Sequence, residues 1–226
     1  MQPDQEISLE ARAGVAAGVA VLPLIPFALL AALVVGGWEP LHSFDRSITD
    51  RLHGAALDSP ALTTAMTWWT NVFQPNVFRL AALLLVIWLV RRGARRPAVW
   101  VAVTTVVGGL LGGGIKLLVG RDRPDLLEPV ARAVGYAFPS GHALNAAVGM
   151  AVFVVIFPHV RALWAAAVLI PVGTAVSRVV LGVHWTSDVV AGLLLGAVVP
   201  AITLLVFRRA GARPRRRVGV RSGPLG

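Results

Sequence analysis

The chain alternates long apolar runs with short polar breaks, and the length of the runs matches the width of a bilayer. Six apolar stretches lie at 14–36, 73–90, 97–119, 140–157, 160–182 and 186–207. Each comes close to the ~20 residues that a helix needs to cross the hydrocarbon core. The pattern predicts an all-α fold, a six-span transmembrane helical bundle. The first stretch is too long for a signal-peptide core. Its flank is mixed (Asp4, Glu6, Glu10 and Arg12) and no cleavage site follows, so it reads as a retained helix, bent at Pro23 and Pro26.

The segment 38–75 is too polar to span. Phe44, Ile48 and Leu52 recur at helical spacing with Asp45, Arg46, Asp50 and Arg51 between them. Ser59-Pro60 has the form of a helix start, and Leu62, Met66, Trp69 and Phe73 make a second stripe. Two short amphipathic interfacial helices are therefore expected between spans one and two, with Trp68 and Trp69 at headgroup depth. Such a pair can act as a lateral gate for lipid or simply pack at the interface. No internal repeat is evident. The chain reads as one membrane-embedded domain over 1–207, followed by a basic tail, 208–226, expected to be disordered and cytoplasmic.

Composition supports the membrane reading. Apolar residues make up 56% of the 226 and charged residues 14%, and the mean hydropathy is +0.74. A soluble domain of this length exposes more charge. Cysteine is absent, which excludes disulfides, thiolate nucleophiles and cysteine-held zinc. The net charge of +10 would suit nucleic acid, but no nucleic-acid motif accompanies it and the arginines gather at the ends of spans. Nucleic acid is therefore not an expected partner, and no obligate protein partner is evident.

Arginine placement orients the bundle. Arg91, Arg92, Arg95 and Arg96 separate spans two and three, and Arg161 sits between four and five. Arg208, Arg209, Arg213, Arg215, Arg216, Arg217 and Arg221 fill the tail. In a six-span chain these share one side with the N-terminus, and their excess marks it as cytoplasmic. The other side holds Arg46, Arg51, Arg79, Arg121 and Arg132. It also receives a set of polar residues that recur at the ends of spans three to six.

Lys116, the only lysine among 21 basic residues, leads that set. A chain that otherwise uses arginine keeps one compact ammonium there; the plainer account is a lysine snorkelling from a helix end. Arg123-Pro124 follows, then Pro139-Ser140-Gly141-His142, then Ser177-Arg178 with His184 and Asp188. Lys116, Arg123 and Arg178 are three fixed cations suited to phosphate oxygens. Ser140 stands where an N-cap belongs, and the N–H groups of Gly141 and His142 would add the positive end of a helix. Ser177 can reach a phosphate oxygen or bond its own helix backbone. His184 and Asp188 share a face if the local chain is helical, with the carboxylate fixing the imidazole tautomer. His142 can hold a proton for a leaving oxygen. The rival chemistry is a metal on His142, His184 and Asp188; three cations in the same pocket argue against it. His42, His53 and His159 read as bystanders.

These residues resemble the three-part signature of the type 2 phosphatidic acid phosphatase superfamily. Order and spacing agree throughout 116–188: six residues between Lys116 and Arg123, five between Arg178 and His184, three between His184 and Asp188. The resemblance implies a metal-independent, cofactor-free acid–base mechanism. In it His184 is the nucleophile, Asp188 its orienter and His142 the general acid, while Lys116, Arg123, Ser140, Gly141 and Arg178 bind phosphate. It also implies a helical bundle like that of the related soluble vanadium haloperoxidases, from which the membrane spans set this chain apart. The expected partners are membrane lipids and a lipid phosphate substrate: a polyprenyl diphosphate, phosphatidic acid or phosphatidylglycerol phosphate. The expected function is thus an integral membrane lipid phosphatase that hydrolyses this phosphate through a phosphohistidine at the outer face; a phosphotransferase with the same intermediate, or a lipid translocator that only binds headgroups, are the alternatives.

Overall fold

The computed structural model describes residues 22–126, 130–131 and 133–212. The polar flank of the first apolar stretch and the tail from 213 onward lie outside the described residues, as do Glu128 and Arg132. Among the described residues eight helices follow one another: α1 (Leu24–Val35), α2 (Glu39–Asp58), α3 (Pro60–Val72), α4 (Pro75–Arg91), α5 (Arg95–Val119), α6 (Gly141–Ile156), α7 (Arg161–Val180) and α8 (Thr186–Ala212). No strand occurs among the described residues, so the all-α expectation holds.

The six spans expected are matched only in part among the described residues. Four of the described stretches are long and apolar enough to cross a membrane: Pro60–Arg91, Arg95–Val119, Arg161–Val180 and Thr186–Arg209. A fifth is gained if α1 and α2, bent by 97° at their junction, count as one, and α6 is a shorter apolar helix. The protein is nonetheless integral to the membrane. Leu80, Leu84, Leu110, Leu118 and Leu169 all stand more than half exposed, an outward-facing apolar surface that lipid, not water, would cover.

The two helices expected in 38–75 are present as α2 and α3, but their length, placement and buried face differ from the expectation. α2 is 20 residues long, not short, and turns away from α1 at Gly36-Gly37, where Gly37 has φ +61°. α3 instead belongs with α4 to one apolar run of 32 residues; Ser59 does cap it, accepting from the Leu62 N–H at 3.3 Å. The face of α2 is also reversed in part. Asp45, Thr49 and His53 are buried while Phe44 is 54% exposed, although Ile48 and Leu52 do pack inward. A stripe of polar residues is what faces the protein here, because its partners are themselves polar. The last helix also outruns its expected end at 207, carrying Arg208 and Arg209 to Ala212.

α6 is the central element, packed against α4, α5, α7 and α8. Its closest neighbour is α8, and small residues make that approach possible. A Cβ at Gly192 would come within 2.6 Å of the Ser140 carbonyl oxygen, and one at Gly196 within 2.5 Å of the Ala147 Cβ. This Gly-xxx-Gly spacing lets two backbones meet without a side chain between them. The Ser140 N–H then donates to the Asp188 carbonyl at 2.9 Å, tying the start of α6 to the start of α8. Lys116 near the end of α5 and Arg178 near the end of α7 come to the same level. Arg95, Arg96, Arg161, Arg208 and Arg209 lie at the opposite helix ends.

Candidate active site

Each cation is placed by a different element. Lys116, one turn before Gly120 closes α5 with a φ of +62°, donates through Nζ to the carbonyls of Tyr136 at 2.6 Å and Ala137 at 3.1 Å. Arg123 lies in the connection after α5. Its Nε donates to Gly135 O at 2.8 Å, Nη1 to Val183 O at 2.6 Å, and Nη2 to Val134 O and Tyr136 O, both at 3.3 Å. Arg178, in the last turn of α7 and only 7% exposed, donates through Nη1 to Thr70 Oγ1 at 3.0 Å, while its Nε has no partner. No carboxylate pairs with any of the three among the described residues. Burying a cation costs several kcal/mol unless an opposite charge answers it. Three together without an acid make a place for an anion.

His184 sits in the turn that joins α7 to α8, not on a helix as the sequence-based condition required. The contact with Asp188 forms all the same: Nδ1 lies 3.3 Å from Asp188 Oδ2. Asp188 is in the first turn of α8, and the same oxygen accepts the Trp185 N–H at 2.9 Å, the reciprocal half of a capping box. On the other side of the ring, Nε2 lies 3.1 Å from Arg123 Nη1. A guanidinium can only donate, so Nε2 must accept and Nδ1 carries the hydrogen toward Asp188. The ring is thus held as the neutral tautomer with its lone pair beside a cation. Burial, opposed by Asp188 but aided by Arg123 and Arg178, pushes His184 from its usual value down to about 4, so it stays unprotonated near neutrality. Burial also lowers Arg123.

Ser140 occupies the N-cap of α6 and is fully buried, but its hydroxyl does not cap the helix and has no partner. Gly141 packs against the Lys116 side chain, 3.9 Å from Cε to an ideal Cβ. His142, half-buried beside them, is within electrostatic reach of Lys116, Arg123, Arg178 and His184. All eight sequence-predicted residues therefore converge. Ser177 does not join them, since its hydroxyl donates to Thr174 O at 2.7 Å. Among the described residues no three His, Asp or Glu side chains form a metal-holding group.

The sequence reading missed several residues. Arg121 makes ion pairs of 2.7 Å with both Asp188 and Asp45, and Ser187 bonds to Arg121 and to Asp45. His53, read as a bystander, is buried against Gly182, two residues before His184. A polar stripe at Asp45, Thr49 and His53 was the signal available. Beside the cluster opens a cavity of about 480 Å³, whose walls include Trp38, His42, Arg46, Arg121, Arg123 and Trp185.

A sequence model of the PAP2 superfamily matches residues 97–212, more than half of the chain, and the chain belongs to that superfamily. It is 33% identical over 117 residues to the lipid A 1-phosphatase of Rhizobium johnstonii, covering 48% of this chain and 47% of that protein. Over 125 residues it is 32% identical to the undecaprenyl-diphosphatase of Sulfolobus acidocaldarius, covering 52% and 57%. Over 95 residues it is 37% identical to the phosphatidylglycerophosphatase B of Bacillus subtilis, covering 38% and 46%. The matched region spans about half the length of these curated relatives. The fold is similar to the crystal structure of a transmembrane PAP2-type phosphatidylglycerolphosphate phosphatase from Bacillus subtilis. That match has a TM-score of 0.74 and 24% identity, and covers 87% of this chain and 98% of that one.

Proposed function

We propose, from this family membership and from the cations gathered around His184, that the chain is a membrane lipid phosphatase working through a phosphohistidine. The observation that carries the reading is the pair of contacts on one imidazole, Asp188 on Nδ1 and Arg123 on Nε2. The phosphate enters between Lys116, Arg123 and Arg178, and its oxygens take donors of Arg123 that otherwise serve the ring and the carbonyls. Ser140 Oγ and the first N–H groups of α6 complete the cradle. Nε2 of His184 bonds to phosphorus as the bond from phosphorus to the lipid oxygen breaks, and His142 gives that oxygen its proton. Water then attacks phosphorus, loses a proton to His142, and releases inorganic phosphate with a free His184.

The remaining parts of the reading follow from where the arginines stand. The site lies at the helix ends away from Arg95, Arg161 and Arg208, so the positive-inside rule puts it on the extracytoplasmic face with both termini cytoplasmic. That arrangement counts six crossings, with α6 as a short one and the first crossing ending at α1. Substrates are lipids whose phosphate reaches that face: phosphatidylglycerol phosphate, phosphatidic acid or a polyprenyl diphosphate. The relatives' names support a lipid phosphate in general.

The test is inorganic phosphate release from this panel by the purified chain in detergent, with excess chelator and no added acceptor. Release by the parent, with none from His184→Ala, is expected. Turnover that requires a hydroxyl acceptor would make the protein a phosphotransferase. Headgroup binding without turnover would make it a translocator, and activity lost to chelator and restored by zinc would return the metal reading.

A further inference from the structure

Arg121 lies outside the signature, two residues before Arg123, and unlike the three site cations it has carboxylates on both arms. Nη1 donates to Asp188 Oδ1 at 2.7 Å and to Ser187 Oγ at 2.6 Å, while Nη2 donates to Asp45 Oδ2 at 2.7 Å. Asp45 closes the ring by accepting the Ser187 N–H at 2.8 Å and the Ser187 hydroxyl. Both carboxylates are fully buried and the arginine side chain is 12% exposed. The Trp185 ring covers the guanidinium, with 5.5 Å from its carbon to the ring centroid.

Two physical consequences follow. Asp188 meets His184 at 3.3 Å but meets Arg121 at 2.7 Å. Charge-assisted bonds of this kind are about 2.7–2.9 Å, and the carboxylate torsion of an aspartate is soft. The arginine on Oδ1, with the Trp185 N–H at 2.9 Å on Oδ2, therefore fixes the plane that His184 sees, and of these two donors the arginine is the one that substitution can remove. The second consequence is charge. An arginine given wholly to Asp188 would cancel the carboxylate behind the nucleophile. Shared with Asp45, it leaves the cluster one net negative charge, which balances the positive charge His184 gains when Nε2 bonds to phosphorus.

We propose that Arg121 and Asp45 are positioning residues of the His184–Asp188 pair: Arg121 sets the plane of the Asp188 carboxylate, and Asp45 occupies its second arm so that the pair keeps a net negative charge. The inference rests on His184 being the nucleophile. Helix α2 is thereby latched to the reacting centre, and its polar stripe has a purpose that interfacial packing does not supply. The other charged or titratable groups facing His184 are Arg123 from the α5–α6 connection, Arg178 from α7 and His142 from α6, with Lys116 of α5 facing His142 and Asp188. His53 of α2 stands against Gly182. None of these changes in the variants below, nor do the ionisations of the substrate.

The test is a charge cycle in the full-length purified protein. Asp45→Asn, Arg121→Gln, the double variant and Arg121→Lys are compared for kcat, KM and the acid limb of kcat/KM against pH. Each single variant should lose about 10-fold or more in kcat with KM within about 3-fold, since the phosphate-binding cations are intact. The acid limb should move by about half a pH unit, in opposite directions. Asp45→Asn removes a negative charge, disfavours imidazolium and moves the limb down. Arg121→Gln removes a positive charge and moves it up. The double variant restores the net charge and should bring the limb back to the parental position. Arg121→Lys keeps the charge but cannot fork across two carboxylates, so it should lose kcat with the limb unmoved.

A merely structural role would lower activity without opposed shifts. Limbs that stay put, or move the same way in both neutralising variants, would overturn the proposal. If Arg121→Gln does not fold, Asp45→Asn, which keeps shape and volume, decides: parental kcat and limb refute the assignment. An active His184→Ala would instead refute the nucleophile itself, so the two failures are distinguishable.

Discussion

Adding one methyl group at Gly192 should damage catalysis more than it damages the fold. An alanine Cβ there would stand 2.6 Å from the Ser140 carbonyl oxygen, 3.1 Å from Ala143 Cβ and 3.3 Å from the Leu144 nitrogen. Two of the three are backbone atoms of the α6 start and cannot rotate away, so α6 and α8 must part by about 0.5–1 Å to restore van der Waals distances. Overpacking of that size costs about 1–3 kcal/mol, partly offset by alanine's higher helix propensity, about 1 kcal/mol. The same movement stretches the 2.9 Å bond from the Ser140 N–H to the Asp188 carbonyl. It separates the proposed phosphate cradle from His184, and a displacement near 1 Å can cost about 10²-fold in rate.

Gly192→Ala should therefore turn over about 10²-fold more slowly with a modest drop in thermal stability. Two comparisons isolate the geometry. Gly196→Ala overpacks the same interface one turn further from the site, against Ala147 Cβ at 2.5 Å and Leu144 O at 3.0 Å, and should lose similar stability but less rate. Gly114→Ala, inside α5, meets nothing within 4 Å and should turn over as the parent with stability equal or slightly raised. Phosphate release and thermal unfolding in detergent read both effects. Parental turnover in Gly192→Ala, or equal rate loss at 192 and 196, would refute the reasoning.

Lys116→Arg should lose most of its turnover even though charge is kept. The Nζ position is set by two carbonyls, and a larger planar cation would have to share the pocket with Arg123 and Arg178; parental kinetics would reduce the lone lysine to a bulk charge. Sidedness can be read in this cysteine-free chain with single cysteines and an impermeant maleimide on intact cells. Asp125→Cys, beside the site, should label, and His159→Cys, in the α6–α7 turn, should label only after the membrane is opened; the reverse pattern would put the reaction in the cytoplasm.

The signature residues were legible because their spacing is enforced by chemistry at one point. Lys116, Arg123, Ser140, His142, Arg178, His184 and Asp188 sit at helix ends or in connections, where a short stretch of chain suffices to place each one. The α4 to α8 boundaries were close for a similar reason, since apolar runs and arginine breaks mark where membrane helices begin and end. In segment 38–75 the two helices were legible but the buried face was not, because apolar periodicity does not say which face is inside when the surroundings are lipid. Phe44 faces outward and Asp45 inward, the opposite of a water-soluble helix. Asp45 and Arg121 stand 76 positions apart, and nothing local to either announces the other. Arg121 in particular looked like one more charge on the outer side.

The 16 residues of α6 extend about 24 Å at 1.5 Å per residue, less than the ~30 Å of a typical hydrocarbon core, whereas the 27 residues of α8 would more than cross it. With the site on the extracytoplasmic face, as proposed, and the far end of α6 at the cytoplasmic boundary, Ser140 and its neighbours lie several ångströms beneath the opposite one. The reaction then takes place in a polar well sunk below the headgroup plane. On the proposed function, a lipid need not rise out of its leaflet to be dephosphorylated; its phosphate would dip, drawn by three cations, while its tails stay among other tails. Bilayer thickness becomes a variable of the enzyme: a thinner membrane brings the well to the surface, and a thicker one deepens it.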